Sequence, residues 1–267
     1  MIKRPPSLGR LLKEATKGDG RPVAFVLAGH NGSGKSTLWY ERLVSKLQMP
    51  LINADRLTTS ILPNSDMHGL LPAWAQKLRD DDQRWHELSQ QGVKAFKQLV
   101  MRQRIPFAFE TVFSHWRRKP DGTHESKADD ILELQDAGYL VVLLFVGLTS
   151  ASLSAARVMT RRQQGGHAVP LKKLFDRFPR TQAAIGYAAP LADMTIFFDN
   201  SRTTDEAFAL VRVQRKNQIL FDCRDPAYDI ADGLRNVAQD WLPRVCGPLV
   251  AVNLDTATRR RAKRPLL

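Results

Sequence analysis

Residues 29–36 read Gly-His-Asn-Gly-Ser-Gly-Lys-Ser and match the spacing G-x-x-x-x-G-K-S of a phosphate-binding loop. Glycine lets backbone N–H groups curl around an anion without a Cβ atom in the way. Lys35 can reach the β- and γ-phosphates of a nucleoside triphosphate, and the Ser36 hydroxyl can join the coordination shell of Mg²⁺. The residues of this predicted nucleotide site are Gly29, Asn31, Gly32, Ser33, Gly34, Lys35, Ser36 and Thr37, with Ser36 as the predicted metal ligand.

The residues around the motif have the patterns that such a loop requires. The apolar run 23–28 enters it as a buried strand, and Thr37 and Leu38 begin the helix that leaves it. The N-terminal end of a helix carries positive partial charge and adds to an anion site. The alternative is a Gly-rich turn that matches by chance, which would require neither the strand nor the helix. The sequence therefore predicts a nucleoside-triphosphate site.

Two carboxylates follow other apolar runs and are candidates for the chemistry. Asp55 comes after the run 49–53, and Glu110 comes after the run 105–109. Ligands of an open parallel sheet collect beyond the carboxyl ends of its strands, so both side chains are expected near the nucleotide. One could take the proton of an attacking hydroxyl while the other orders the substrate or Mg²⁺. The alternatives are a helix N-cap for Asp55 and an exposed strand-end carboxylate for Glu110.

A basic segment in the second half of the chain predicts a helical cover over the phosphates. Arg157 and Arg161 fall at helical spacing, so they share one face of a predicted helix. The turn 165–170 and a second basic helix with Arg177 and Arg180 follow. Phosphoryl transfer uses arginines on a mobile cover, because charge on the transferring group must be neutralised while water is excluded. The alternative is a helical hairpin at the surface whose cations are solvated.

The elements that must position these residues follow from the hydrophobic pattern. Five apolar runs predict buried strands, and helical periodicity fills the gaps between them. The predicted strands are 23–28, 49–53, 105–109, 139–148 and 194–198, and the predicted helices are 35–47, 82–103, 126–137, 151–164, 170–187 and 203–217. This alternation indicates an α/β fold, a three-layer sandwich around a central five-stranded, mainly parallel sheet. Trp241 is expected on a short helix, and residues 249–252 could form a closing strand.

Composition limits the compartment and the partners. Lys and Arg number 40 against 27 Asp and Glu, so the net charge is +13 and polyanionic partners are favoured. The basic run 259–264 is typical of a disordered, solvated end. With only Cys223 and Cys246, and with neither a signal segment nor a membrane-length apolar run, a cytoplasmic protein without disulfides is expected. No His/Cys cluster has metal-ligand spacing, which argues against a zinc site.

Five ordered segments together resemble the zeta-toxin family of P-loop kinases, in particular the branch often described as predicted ABC-type ATPases. The segments are 29–37, 53–55, 109–114, 165–170 and 198–201, and the resemblance covers about residues 22–216. It implies a P-loop kinase-like core with an arginine-bearing helical lid. It also implies ATP-dependent phosphorylation of a sugar hydroxyl of UDP-N-acetylglucosamine or a related nucleotide-sugar. ATP and Mg²⁺ are the implied cofactors, and a small acidic antitoxin is the implied partner.

The resemblance also implies roles for individual residues around the transferring group. Lys35 and Ser36 match the family's ATP and Mg²⁺ residues, and Asp55 matches the acidic residue that serves as general base. The residues matched to the substrate pocket are Asp55, Glu110, Thr111 and Ser114.

Arginines and the adenine contact are assigned in the same way. Arg157 or Arg161 matches the first phosphate-binding arginine, and Asn200 would lie near the adenine. Founding members carry the second arginine close to the lid proline, where this chain has His167, so the charge is expected from the following helix. The candidates on that helix are Arg177 and Arg180.

The predicted organisation is an N-terminal extension 1–21, a kinase core 22–218 and a C-terminal extension 219–267 with the basic tail. Two other functions stay open. The chain could be a P-loop kinase for another small-molecule hydroxyl or a nucleic-acid end, or it could be a nucleotide-dependent switch. The basic tail favours a polyanion, but no aromatic-rich surface accompanies it, so nucleic acid is the weaker expectation. A switch would need an ATPase signature that the sequence lacks.

Overall fold

The computed structural model describes residues 2–17, 20–63, 71–163 and 169–246, and of residues 162 and 163 it describes the backbone alone. The helices in these ranges are α1 (Leu8–Thr16), α2 (Lys35–Leu38), α3 (Val44–Leu47), α4 (Ala54–Ser60), α5 (Ala73–Asp81), α6 (Gln83–Arg102), α7 (Ala128–Asp136), α8 (Ala151–Gln163), α9 (Leu171–Ala188) and α10 (Asp232–Val245). The strands are β1 (Val23–Gly29), β2 (Leu51–Ile52), β3 (Phe107–Thr111), β4 (Trp116–Arg118), β5 (His124–Ser126), β6 (Leu140–Gly147), β7 (Met194–Asp199), β8 (Ala209–Arg215) and β9 (Gln218–Asp222). A π-helical turn, Trp39–Leu43, joins α2 to α3, and a 3₁₀ turn covers Thr204–Glu206.

A seven-stranded sheet forms the centre of the fold, in the order β2-β3-β1-β6-β7-β8-β9. The first five strands are parallel, whereas β8 pairs antiparallel with β7, and β9 antiparallel with β8. Every residue of β1 is buried, and so is every residue of β6 after its first, as expected for parallel strands covered on both faces. The predicted α/β fold is confirmed, and its sheet is wider by β8 and β9 than the five strands predicted.

The predicted helix over 203–217 is wrong, because β8 occupies Ala209–Arg215. Val211 and Val213 are both fully buried, and their spacing follows the period of a strand. Lys216, with a φ of 51°, and Asn217 form the two-residue turn into β9. Tight hairpin turns use residues at positive φ and are usually marked by glycine. This turn contains none, so the sequence lacks the usual hairpin signal.

The other predicted helices are confirmed to within a few residues. The stretch 35–47 corresponds to α2, the π-helical turn and α3, and the four that follow in sequence correspond to α6, α7, α8 and α9. Trp241 lies on α10, as expected, whereas residues 249–252 lie outside the described residues. Within the described part of the chain, no helix combines the length and the apolar character needed to cross a bilayer.

Helix α10 packs into the main core through Trp241, whose side chain is fully buried. The indole Nε1 donates a hydrogen bond of 3.1 Å to Oδ1 of Asp199, at the end of β7. A Cβ atom added at Gly147, the last residue of β6, would lie 2.5 Å from the indole ring. The ring therefore fills the space that the missing side chain of Gly147 leaves open. Beyond residue 218, both β9 and α10 belong to this same core.

We expect Gly147→Ala to lower the free energy of unfolding by about 1–3 kcal/mol, because the new methyl group overpacks the core against Trp241. Urea-induced unfolding measures the change. Gly233→Ala is the control. Gly233 lies on α10 like Trp241, and nothing lies within 4 Å of the Cβ atom that this substitution adds. An unchanged unfolding midpoint for Gly147→Ala would contradict the packing of α10 at this position.

Candidate active site

The loop between β1 and α2 has the backbone conformation of an anion cradle. Gly32 has a φ of 67° and Gly34 a φ of 91°, a region that residues with a Cβ atom rarely adopt. At Gly34 a Cβ atom would also lie 2.6 Å from Nδ2 of Asn200. The glycines of the sequence motif are therefore required both by the turn of the chain and by close approach of a neighbouring side chain.

Side chains from two other elements hold the carbonyl groups of this loop. Ser154, on α8, donates from its hydroxyl to the carbonyl oxygen of Asn31 at 2.7 Å. The predicted adenine residue Asn200, which follows β7, donates from Nδ2 to the carbonyl oxygen of Ser33 at 2.8 Å. Two carbonyl groups of the loop are therefore bound by side chains from outside it, whereas the Ser33 N–H donates to the carbonyl oxygen of His30 at 3.2 Å.

Lys35 is buried at the centre of the site. Its Nζ donates to the carbonyl oxygen of His30 at 2.9 Å and to that of Gly29 at 3.4 Å, and it lies 3.9 Å from Oε1 of Glu110. Burial lowers the pKa of Lys35, while the negative charges of Glu110 and Asp55 oppose that shift. The two predicted carboxylates therefore stabilise the cation that the motif supplies.

Glu110 connects the phosphate-binding loop to Asn53, the residue that follows β2. In the register of β1 and β3 it stands opposite Leu27, near the start of the loop. The Ser36 hydroxyl donates to both of its carboxylate oxygens, at 3.1 and 2.9 Å, and Nδ2 of Asn53 donates to Oε2 at 2.6 Å. Serine hydroxyl and carboxylate oxygens are ligands that suit Mg²⁺, whereas Asn53 meets Glu110 through its Nδ2 donor. Among the described residues no three His, Cys, Asp or Glu side chains form a metal cluster, so further ligands would come from phosphates and water.

Asp55 is available for chemistry because Asn53 takes the capping role at the start of α4. The side-chain oxygen of Asn53 accepts from the backbone N–H of Arg56 at 3.2 Å. Asp55, in the first turn, is exposed to the cavity and acts electrostatically on Lys35 and Arg177. The alternative interpretation of Asp55 as an N-cap is therefore wrong.

A cavity of about 520 Å³ lies beside the loop. Lys35, Asp55 and Glu110 share this cavity with two of the predicted arginines. The predicted site residues that line it are Asn31, Gly32, Lys35, Asp55, Glu110, Thr111, Arg161 and Arg177. Residues from three regions of the sequence, 29–55, 110–111 and 161–177, thus meet around one space that is large enough for a small-molecule ligand.

The predicted arginines have different surroundings. Arg157 lies next to the loop, since its Cβ is 3.1 Å from the position of a Cβ at Gly32, and burial lowers its pKa. Arg161 and Arg177 line the cavity. Burial also lowers the pKa of Arg177, with neighbouring Arg180 adding to the effect and Asp55 opposing it. Arg180 is exposed and donates from Nε to the carbonyl oxygen of Asp176. Of the predicted turn 165–170, residues 165–168 lie outside the described residues.

Three other predicted residues differ in their relation to the cavity. Thr111 lines it, and its hydroxyl oxygen accepts from the backbone N–H of Phe113 at 3.4 Å. Ser114 is partly buried and does not line it, and Thr37 is exposed on α2. The structure therefore brings together Lys35, Asp55, Glu110, Thr111, Arg161 and Arg177, but not Ser114, Thr37 or Arg180.

The sequence does not predict the residues on the far side of the cavity, away from the phosphate-binding loop. Lys97, a buried residue of α6, pairs with Asp130 at 3.1 Å and with Glu133 at 3.0 Å, both on α7, and lies over the Phe109 ring at 5.2 Å. All three charged side chains line the cavity. No spacing signal could have found them, because the partners are 33 and 36 residues apart in sequence on separate helices. Their charge pairing depends on the packing of α6 near α7.

His30 lies at the first position of the loop and is almost completely buried. Burial, with a smaller contribution from Lys35, lowers its pKa from 6.5 to about 3. Its Nδ1 atom has no hydrogen-bond partner among the described residues. The imidazole is therefore neutral at physiological pH and is not available as an acid or base.

Comparison with known proteins identifies a family and similar folds. A family model described as zeta toxin matches residues 9–206. One similar solved structure belongs to the PezAT chromosomal toxin–antitoxin system of Streptococcus pneumoniae, with a TM-score of 0.51 and 12% identity over 96% of this chain and 92% of that chain. Another is AvrRxo1-ORF1:-ORF2 with ATP, with a TM-score of 0.57 and 15% identity over 90% and 68% of the two chains. These structural likenesses show the fold, and no curated protein sequence matches the chain.

The buried His30 predicts a specific pH dependence of stability. Since its folded pKa is about 3 and its unfolded pKa about 6.5, the unfolded chain binds one more proton between these values. The free energy of unfolding should therefore fall by about 1.4 kcal/mol per pH unit between about pH 6 and pH 4 through this residue. The contribution of neutral His30 to the free energy of unfolding is complete above pH 6.5 and is lost as the pH decreases.

Urea unfolding of the wild type and His30→Phe at several pH values isolates this contribution, because the substitution removes the titrating group. The difference between the two proteins should change with pH below 6.5 and stay constant above it. A difference that is constant across the whole range would show that His30 titrates normally in the folded protein.

Proposed function

The chain belongs to the zeta-toxin family and is an ATP-dependent kinase, and we propose that it phosphorylates a sugar hydroxyl of UDP-N-acetylglucosamine or a related nucleotide-sugar. The observation that carries this proposal is the meeting of Lys35, Asp55 and Glu110 with Arg161 and Arg177 around one cavity beside the phosphate-binding loop. A cationic loop, a carboxylate that is free to act as base and arginines facing the same space are the groups that phosphoryl transfer requires.

Lys35 and the arginines would stabilise the charge of the transferring phosphoryl group. Transfer to a hydroxyl needs little covalent chemistry from the protein, so its rate depends on positioning and electrostatic stabilisation. Lys35 lies on the loop, while Arg161 and Arg177 face the cavity from α8 and α9. Arg157, beside Gly32, is the further candidate for a phosphate contact.

Asp55 would act as the general base. Its carboxylate is exposed in the first turn of α4 and is not used for capping, so it can accept the proton of an acceptor hydroxyl. Asp55 also interacts electrostatically with Lys35 and Arg177, which face the same cavity. Glu110 is less suited to this role because it already accepts hydrogen bonds from Ser36 and Asn53.

Ser36 would hold Mg²⁺ together with the nucleotide phosphates, and Glu110 would support this site from behind. The Ser36 hydroxyl and the Glu110 carboxylate lie in direct contact, and Asn53 adds an amide to the same group. When bound, Mg²⁺ neutralises charge on the β- and γ-phosphates. Glu110 would orient the water ligands of the metal, a role that its hydrogen bond to Ser36 supports.

The far side of the cavity would receive the acceptor. Lys97, Asp130 and Glu133 line it, and Gln90 and Lys94 of α6 add further polar groups. Such donors and acceptors suit sugar hydroxyls, amides and phosphates rather than an apolar molecule. A nucleotide-sugar carries all three kinds of group. The net charge of +13 also favours an anionic acceptor and is the observation that keeps a nucleic-acid end as the second candidate.

We further propose an acidic protein partner and a cytoplasmic location. One structural relative belongs to a toxin–antitoxin system, and another is solved as a complex of AvrRxo1-ORF1 with ORF2. The strong positive charge of this chain would attract a small acidic protein. Cys223 and Cys246 are both free thiols, which agrees with a reducing compartment.

The first test is direct phosphoryl transfer. The protein with Mg²⁺, ATP and UDP-N-acetylglucosamine should give a phosphorylated nucleotide-sugar, detected by mass spectrometry. Asp55→Asn should lower kcat by roughly 10²- to 10⁴-fold without a loss of ATP affinity, because it removes the base alone. Lys35→Ala should abolish transfer, because the buried cation of the loop is lost.

Glu133→Gln provides a matched control for the acceptor end of the cavity. It should raise KM for the nucleotide-sugar more than KM for ATP, because it contacts Lys97 and not the loop. ATP bound without any transfer would contradict the proposed acceptor, and a screen of other hydroxyls and nucleic-acid ends would replace it. Full activity of Asp55→Asn would contradict its role as base.

The proposed role of Glu110 predicts a change in metal affinity. Glu110→Gln should weaken Mg²⁺ binding in the presence of ATPγS by roughly 10- to 100-fold, as is typical when a group that orients metal ligands is lost. Isothermal titration of ATPγS binding with and without Mg²⁺ measures this change in metal affinity independently of activity. Glu133→Gln is the control, and equal effects of the two substitutions would contradict a metal-specific role for Glu110.

A further inference from the structure

The neutral imidazole of His30 joins a series of aromatic contacts that runs from the loop in two directions. On one side it stacks flat on Phe178 of α9, with ring centroids 3.8 Å apart and an interplanar angle of 12°. On the other side it meets Phe145 of β6 edge-on at 5.7 Å, and Phe145 in turn contacts Phe197 of β7. His30 is therefore held between the central sheet and α9.

Helix α9 is divided at Pro179, which lies inside it. Proline has no N–H group and removes one hydrogen bond of the helix, which makes this a point of weakness. After Pro179, residues Ala184, Ile185 and Ala188 belong to the main core. The stretch before it, residues 171–178, is here called the lid half of α9.

The lid half packs poorly against the body of the protein. Leu171 and Phe175 are 48% and 47% exposed, although both are large apolar side chains. Leu174 packs with Ala155 and Val158 of α8 in a small cluster separate from the main core. Phe178 is the buried aromatic residue of this half, and its flat contact is with His30.

The stack lies beside two groups of the active site. Arg177, which lines the cavity, directly precedes Phe178 on the lid half. The carbonyl oxygen of His30 accepts a hydrogen bond from Nζ of Lys35. One residue of the phosphate-binding loop therefore contacts the catalytic lysine through its backbone and the lid half through its ring.

We propose that His30 is a positioning residue whose stack on Phe178 couples the phosphate-binding loop to the lid half of α9 and sets Arg177 over the cavity. The flat face of the ring carries this role, and proton transfer does not. A nucleotide bound to the loop would hold the His30 ring in place, and the lid half with it. The kinetic part of the test rests on the proposed phosphoryl transfer, whereas the exchange measurement below needs no acceptor.

Hydrogen exchange followed by mass spectrometry tests the coupling directly. In the wild type, Mg²⁺–ATPγS should slow exchange of the amides in residues 171–178. His30→Ala should abolish this slowing at saturating ATPγS, because the loop can still bind phosphate but no longer contacts Phe178. Phe175→Ala, which removes an exposed phenylalanine of the same lid half, should keep the slowing.

A double-mutant cycle on kcat tests the consequence for catalysis. His30→Ala and Phe178→Ala should each lower kcat roughly three- to tenfold, the size expected for loss of one aromatic pair, with KM for ATP little changed. The double variant should be no slower than either single variant, because both remove the same contact. His30→Phe should restore most of kcat, since it keeps a flat ring.

Two results would overturn the inference. One is slowed exchange of residues 171–178 by ATPγS in His30→Ala that equals the wild type. The other is a double variant whose loss of kcat is the product of the two single losses. Thermal unfolding of each variant identifies any that fail to fold, and His30→Phe then gives the decisive comparison. If no phosphoryl transfer is detected but hydrogen exchange changes as expected, the result counts against the proposed acceptor and not against the coupling.

Discussion

The structure depends on anchoring the carbonyl groups of one short loop to the side chains that surround it. Ser154 of α8 binds the carbonyl of Asn31, Asn200 after β7 binds that of Ser33, and Lys35 binds that of His30. A buried carbonyl without a partner would cost free energy and would leave the loop less constrained. The order of the sheet, with β1 between β3 and β6, brings these anchors to the loop.

The same arrangement accounts for the charges at the site. A buried lysine is unfavourable alone, and Glu110 and Asp55 offset this by their charge. Glu110 also accepts hydrogen bonds from Ser36 and Asn53, so it links the start of α2 to β3 and to the start of α4. Phosphate and Mg²⁺ would compete for these contacts. Ligand binding would therefore exchange partners around Lys35 and Ser36.

Local patterns in the sequence were sufficient for the parallel strands and the loop, and insufficient wherever long-range packing decides. The strands of a buried parallel sheet are continuous apolar runs, and the loop has fixed glycine positions, so both can be read directly. Strand β8 was misread because the turn at Lys216 carries no glycine. Helix packing determines that Lys97 pairs with Asp130 and Glu133, and sequence spacing does not predict this pairing. The same holds for the different surroundings of Arg157 and Arg161.

The family match ends at residue 206, yet residues beyond it pack against the proposed nucleotide site. Trp241 of α10 donates to Asp199, the neighbour of Asn200, and Asp199 also accepts from the Ser201 hydroxyl. Because the carboxylate of Asp199 is fully buried, losing the indole would leave it with one donor fewer in a place that water does not reach. The backbone that carries Asn200 to the loop would then be less constrained. Helix α10 would thus help to hold the phosphate-binding loop through the turn after β7, although none of its residues lines the cavity.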